Sequence, residues 1–479
     1  MVSSQFSGLS GVFGRMSAWI TEWTPMILLI CYCLFSFFIY PLMPALVHEI
    51  IWFTLVGLQT LTSLSVSTEA MQSIRPAIKA RRDKRRMDKE GWKLNPGEEW
   101  PEIDVILVAY LPNEQDIIMR QVRYALTKID YPADKLTINV VYNTPKPIPG
   151  IEAELAGLEN QYDNVRVISV PNSRSKAENI NYFLTLPSRG KIITVYDTDH
   201  FPEPTALRWV AKRFLTGEVD IIQGRCCTYN HTSTWLTRMI GVEFDMIYGV
   251  MHSGRAEVQR YGFFGGSNGH WNASLLKTLG MQGHMLTEDI DSSMRAIISG
   301  ARIEYDLHVL SYEQAPETMQ AFTKQRLRWS QGWTQVAMRH FIPACTRGAY
   351  SDDNGWRSRV GLLQLLVYRE IYFYINTQLF WLLVSGICTN IFTEGVQTFF
   401  KNFGGYHLAM WALGINLICL FLTMCIVMRN RSHFTKPFSV ILFGFLTSFY
   451  YVFNSHMAIY AHFRQFTNYT KWNPTARGK

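Results

Sequence analysis

Two groups of uncharged apolar segments bracket a central stretch of ordinary globular composition, and that layout limits the fold more than any other feature. Residues 25–47 (PMILLICYCLFSFFIYPLMPALV) and 50–68 hold no Asp, Glu, Lys or Arg. About 20 apolar residues cross a bilayer core as one helix, so both are expected spans. The second carries Gln59, Thr60 and Thr62, which suits contacts with protein. Further spans are expected near 371–393, 405–428 and 437–461. Residues 8–20 are too short and mixed to cross, and fit an interfacial helix. A cleaved signal peptide is not expected, because a basic start and a small-residue cleavage site are lacking. Charged residues make up 18% of the chain against 48% hydrophobic, which argues against an ordinary soluble enzyme and against a disordered protein.

The central region opens on the basic run Arg75–Lys89, with eight Lys and Arg against two acids. It directly follows a span and holds no aromatic residue. It therefore reads as a cytoplasmic topology signal facing anionic lipid, and no nucleic-acid partner is expected. Cys31, Cys33, Cys388, Cys419 and Cys425 fall inside apolar spans, and Cys226, Cys227 and Cys345 show no metal-type spacing. Neither a disulfide framework nor a zinc site is expected. Two spans before the central region and three after it would leave the carboxyl terminus outside. Either one late segment is re-entrant, or 356–391 conceals a further crossing around Arg369 and Glu370. That pair could instead mark an interfacial helix running into the span.

Within the centre, IDVILVAY (103–110) is a β-rich apolar run followed by an amphipathic stretch to about 128. LTINVVY (136–142), RVISV (166–170) and KIITVYD (191–197) repeat the strand pattern, with a helix expected near 176–186. Apolar strands alternating with helices imply a mostly parallel sheet covered on both faces. Ligands of such sheets bind beyond the carboxyl ends of the strands, where Asp197-Thr198-Asp199-His200 stands. Two carboxylates at i and i+2 leaving a strand can converge on one hard divalent cation, Mg²⁺ or Mn²⁺. The plainer alternative is an Asp-rich turn before Pro202. Thr287-Glu288-Asp289 precedes an expected helix that Thr287 could cap. Gln325, Arg328 and Trp329 of QRLRW share a helix face, although a membrane-surface helix would also carry Arg and Trp.

In this order and between spans, DTDH, TED and QRLRW resemble the motifs of the processive family-2 β-glycosyltransferases, the cellulose, hyaluronan and chitin synthases and their relatives. The layout is most similar to fungal type 2 polysaccharide synthases. The resemblance covers roughly 100–335. It implies an α/β GT-A domain with a mixed, mostly parallel sheet, inserted between transmembrane helices with amphipathic interface helices. It also implies a multi-pass plasma-membrane protein whose cytosolic domain feeds a channel built by the spans. Residue by residue, it implies that Tyr110, Glu114, Asn143, Lys176, Asn181, Asp197, Gln325 and Arg328 contact the nucleotide sugar. Asp199 would bind the metal together with Asp197 and His200. Asp289, flanked by Thr287 and Glu288, would be the general base. Ser267 and Asn268 of GFFGGSNG (262–269) would meet the acceptor together with Trp329. Trp472, Thr475 and Arg477 match a W-x-x-T-x-R gating segment, which must be cytosolic; a glycan on the sequon at Asn468 would contradict that. Two positions depart from the pattern: Asn143, where many relatives have an acid, and His270-Trp271-Asn272, where relatives often have a basic residue.

The expected layout is an interfacial helix and two spans in 1–70, a basic linker in 71–100 and the GT-A domain in 101–310. Interface helices with QxxRW follow in 311–370, then spans in 371–462 and the tail in 463–479. DTDH and TED look more like β-glucan than hyaluronan synthases, which points to UDP-glucose as donor. The partners expected are that donor, a growing polysaccharide acceptor and the lipid bilayer. The alternatives are a hyaluronan- or chitin-type synthase using UDP-GlcNAc with or without UDP-GlcA, and single transfer to a lipid. A transporter is disfavoured because ionisable residues in the spans are few, and an inert scaffold because Asp197, Asp199 and Asp289 are all present.

Overall fold

A computed structural model of the chain describes residues 23–346, 355–393 and 407–467. Helix α1 (Trp23–Leu42) is a short apolar span. Helices α2 (Ala45–Gln72) and α3 (Ile74–Glu90) come next, joined by Ser73, which keeps helical angles (φ −68°, ψ −17°). The basic run is therefore no loose linker. It prolongs α2 for 17 residues, about 25 Å at 1.5 Å per residue. Its side chains reach the central domain: Lys84 Nζ lies 3.2 Å from Glu203, and Asp83 lies 3.7 Å from His308 Nε2. Helix α3 thus lies along the flank of the domain.

The domain begins with β1 (Ile103–Tyr110), α4 (Leu111–Lys128), β2 (Leu136–Asn143), α5 (Pro149–Glu159) and β3 (Val165–Ser169). Next come α6 (Lys176–Thr185), β4 (Ile192–Asp197), β5 (Phe201–Pro202), α7 (Ala206–Leu215) and β6 (Ile221–Thr228). Helices α8 (Trp235–Met246) and α9 (His252–Gln259), strand β7 (Gly269–Asn272), α10 (Ala273–Leu279), α11 (Glu288–Ile298) and β8 (Ile303–Glu313) complete it. The sheet order is β3-β2-β1-β4-β7-β6-β8-β5. Strands β7 and β5 run against the rest, so the sheet is mixed and mostly parallel. Alternate residues of β1 feed two cores, because successive strand side chains point to opposite faces. Ile103, Val105, Leu107 and Ala109 pack with α4 and α7, while Ile106 and Val108 pack with α6, α10 and α11.

Helix α12 (Met319–Thr346) carries QRLRW from the domain towards the spans. Helices α13 (Gly355–Leu363) and α14 (Arg369–Thr393) flank a π-helical turn, Gln364–Tyr368, and make one continuous helix. Arg369 and Glu370 thus sit inside a helix, not at a turn between two crossings. Helices α15 (His407–Asn430) and α16 (Pro437–Phe466) end the described chain. Among the described residues five helical stretches are long and apolar enough to cross a membrane. The expected interfacial segment 8–20 and the sequon at Asn468 lie outside the described residues.

Candidate active site

The carboxyl ends of β1, β2 and β4 lie on one edge of the sheet, and several of the side chains singled out in the sequence gather there. Lys176 opens α6, whose amino end is capped by Ser175 Oγ accepting the Glu178 N–H at 3.2 Å. Its ammonium lies 2.5 Å from Asp197 Oδ1 and also donates to the Gly266 carbonyl. The Asp197 N–H donates to Ser267 Oγ at 3.1 Å. The first acid of DTDH is thereby tied to the GGSNG loop from two directions. The side chains of Asp197, Asp199 and His200 each offer a ligand atom, all within 4.8 Å of one another. Two carboxylates and an imidazole in that space fit a hard divalent cation. The ring of His200 has other work as well, with Nδ1 3.1 Å from Ser311 Oγ and Nε2 2.7 Å from Glu313. Burial opposes protonation of this ring, but Glu313, helped by the Asp199 and Asp197 charges, raises the pKa.

Asp289 approaches the same loop from the other side. Gly266 holds φ +92°, and a Cβ there would fall 2.8 Å from Asp289 Oδ2. The glycine supplies both a left-handed turn and room for the carboxylate. Burial foremost, then the neighbouring Glu288 charge, push Asp289 up to about 7, against the pull of Lys176 and Arg328. The loop is braced by Gln223, whose Oε1 accepts the Gly265 N–H at 2.8 Å and whose Nε2 donates to Ser267 O at 3.1 Å. Ser293 of α11 accepts the Phe264 N–H at 2.8 Å.

The QRLRW helix closes the third side. Arg328 Nη1 donates to the Leu286 carbonyl at 3.4 Å, and Gln335 Oε1 accepts the Leu286 N–H at 3.0 Å. Arg326 points the opposite way, 2.5 Å from Glu243, which also accepts the Tyr450 hydroxyl at 2.8 Å. Its guanidinium lies 4.7 Å from the Trp329 ring centroid. Trp329 packs against a cluster of Leu236, Ile240, Phe244 and Phe322. Gln325 Oε1 is buried without a hydrogen-bond partner among the described residues.

Residues 101–332 match the family model described as "Glycosyltransferase like family 2". This stretch is similar to the family-2 glycosyltransferases. Its mixed sheet is that of the GT-A fold. A relative named probable glycosyltransferase YdaM, from Bacillus subtilis, is 27% identical over 52% of this chain and 59% of its own. A cellulose synthase catalytic subunit (UDP-forming) from Xanthomonas axonopodis is 25% identical over 50% of this chain and 32% of its own. The chain thus spans less than two thirds of either relative's length. A mannosyltransferase from Pyrobaculum calidifontis, solved with GDP-Man and Mn²⁺, is 15% identical with a TM-score of 0.48, covering 78% of this chain and 98% of that one.

Several expected contacts of the glycosyltransferase domain prove to be turned inward. Asn268 is a correction: its side chain is buried, donating to Arg225 O at 3.2 Å and Val309 O at 3.1 Å. It pins β6 to β8 and is not aimed at an acceptor. Asn181 accepts from and donates to the Met281 backbone, both at 2.8 Å, and so anchors the approach to TED. Asn143 accepts from Asn179 at 2.8 Å and donates to Ser173 O at 2.9 Å, bracing the end of β2. Tyr110 ends β1, and its N–H donates to Glu114 Oε2 at 2.8 Å, which keeps both at the carboxyl edge. His270-Trp271-Asn272 forms β7: Trp271 is fully buried, and His270 lies 2.9 Å from Thr194 Oγ1 with its pKa pushed down to about 3 by burial. Trp472, Thr475 and Arg477 lie outside the described residues. Gln223, Ser293, Glu313 and Gly332 carry the frame of the site without forming any motif legible in the sequence.

Proposed function

We propose that the protein is an inverting, processive glycosyltransferase that polymerises UDP-glucose into a β-linked polysaccharide and passes it between its own spans. In this reading the domain faces the cytosol of a plasma-membrane protein. The observation that carries it is the convergence of Lys176–Asp197, the Gly266 turn under Asp289 and the QRLRW helix on one edge of the sheet. Asp289 takes the proton of the acceptor hydroxyl. The freed oxygen pair attacks the anomeric carbon as the bond to the diphosphate breaks, so that one displacement inverts the centre. Lys176 and Arg328 offset charge building on the leaving diphosphate, and Trp329 offers an aromatic face to the terminal acceptor sugar. A divalent cation held by Asp199 and Asp197 would add further charge neutralisation there. The similarity to a cellulose synthase named as UDP-forming supports a UDP-linked donor and a β-glucan product.

The test is UDP release by purified protein with Mg²⁺ or Mn²⁺ and each UDP-sugar in turn. UDP-glucose alone should support release and yield a glucanase-sensitive polymer. A need for UDP-GlcNAc, or for two donors together, would replace glucan by a chitin- or hyaluronan-type product. A single sugar on lipid would refute processivity.

A further inference from the structure

The ends of three strands bring together side chains that stand far apart in the chain. Strands β6 and β8 are parallel, and their register sets Cys226 against Ser311. Side chains alternate along a strand, so Glu313 shares the face of Ser311. Strand β5 pairs with β8 through Phe201 and Tyr312, which carries the preceding His200 to the same place. One ligand atom each of His200, Cys226 and Glu313 lies within 4.8 Å of the other two. His200 and Cys226 are buried, and Cys226 forms no disulfide.

An imidazole, a thiol and a carboxylate make a different donor set from that of Asp197 and Asp199. Thiolate and imidazole suit Zn²⁺, whereas carboxylates with water suit Mg²⁺ and Mn²⁺. The imidazole is already oriented for such a role. Its Nδ1 lies 3.1 Å from Ser311 Oγ and its Nε2 2.7 Å from Glu313. With Nδ1–H donating to the serine, the Nε2 lone pair faces the carboxylate, the way ligating histidines are commonly held. The Tyr196 hydroxyl is buried without a hydrogen-bond partner among the described residues, and Cys226 is the foremost ionisable group bearing on it. A phenol there can donate to a metal-bound sulfur. Glu313, Asp197 and Asp199 all bear on the same sulfur, so the local field favours a cation.

We propose that His200, Cys226 and Glu313 bind a second cation, a borderline metal of the Zn²⁺ type, which staples the DTDH turn to β6 and β8. His200 then serves this softer site, while Asp197 and Asp199 keep the hard one. Spacing in the sequence conceals the set, because its members stand at 200, 226 and 313. The site depends on neither the donor nor the acceptor proposed above.

Co²⁺ is the probe, because it accepts the same ligands as Zn²⁺ and its bond to thiolate absorbs light. Full-length protein in detergent is stripped with chelator and titrated with Co²⁺ in excess Mg²⁺, which fills the hard site. Wild type should gain a thiolate-to-cobalt charge-transfer band that saturates at an equimolar ratio. Cys226→Ser should abolish the band, and Asp199→Asn should leave it. Ser311→Ala keeps all three ligands and should weaken Co²⁺ binding about 10- to 100-fold. Zn²⁺ should compete the band away, and should raise the thermal unfolding temperature of wild type but not of Cys226→Ser. No band in wild type, or a band that survives in Cys226→Ser, overturns the site. A band lost in Asp199→Asn would put the metal on the DTDH acids and overturn it equally. Should Cys226→Ser fail to fold, Ser311→Ala decides, and unchanged Co²⁺ affinity there overturns the site.

Discussion

Gly332 of α12 lies against Thr287, the residue that opens TED, so closely that a Cβ at 332 would fall 2.6 Å from the threonine Oγ1. The QRLRW helix and the helix bearing Asp289 can meet only because position 332 has no side chain. Gly332→Ala should push α12 off α11, with an overpacking cost of about 1–3 kcal/mol. Because Arg328 and Asp289 sit on the two parted elements, UDP release should fall at least about tenfold, a barrier rise of roughly 1.4 kcal/mol or more. Thermal unfolding in detergent should shift only modestly. An alanine variant with wild-type turnover would show that this contact does not position the site.

Asp289 should govern the acid limb of the pH profile. A base works only when ionised, and this carboxyl is pushed up to about 7 by burial and by Glu288. In kcat/KM, which reports the free enzyme, activity should therefore rise with pH through about 7 and level off above it. Glu288→Gln removes one of the two causes, so the inflection should move to lower pH. A profile that stays put in Glu288→Gln, or that falls as pH rises through neutrality, would contradict the assignment.

Much of this arrangement is legible in the sequence, for reasons that also explain the gaps. The strands β1, β2 and β4 are mostly apolar runs that end on Tyr110, Asn143 and Asp197, and helices α4 and α6 pack beside such strands. Period and punctuation expose such units. By contrast β7 is four residues long and reads GHWN, and its pairing in mid-sheet is a tertiary event that local pattern does not encode. Strand β8 (IEYDLHVLSYE) carries three acids and mostly half-buried positions, so Glu313 gives no hint that it meets His200. The three asparagines show the limit of motif transfer. Asn143 already departs from the family pattern, and all three amides hydrogen-bond backbone groups, which amides satisfy well. Arg326 and Arg328 stand two apart on α12, and helix geometry alone sends one to the site and the other to the spans.

The two halves of Asp199-His200 should respond differently to metal. The carboxylate of Asp199 is hard and converges with Asp197, whereas both nitrogens of His200 are engaged by Ser311 and Glu313. Asp199→Asn should therefore raise the half-saturating Mn²⁺ concentration steeply and remove most UDP release. His200→Asn should lower the maximal rate, through the loosened DTDH turn, with little change in Mn²⁺ dependence. Titrating UDP release against Mn²⁺ in both variants separates the cases. Equal shifts would make His200 a direct ligand.

The ion pair of Arg326 and Glu243 offers a way to separate mounting from chemistry. Both side chains are almost wholly enclosed, and the Tyr450 hydroxyl of α16 shares the Glu243 carboxylate. Removing the arginine alone, as Arg326→Met, strands that carboxylate in an apolar setting and should cost about 3–5 kcal/mol. Replacing both, as Arg326→Met with Glu243→Leu, leaves no orphaned charge. Apolar substitutes for buried pairs are often neutral, so the double variant should recover most of the stability. If the pair only mounts α12, UDP release should recover in step with thermal stability. Stability that returns while UDP release stays low would instead assign Arg326 a direct part, through its cation–π contact with Trp329, in how the acceptor face is held.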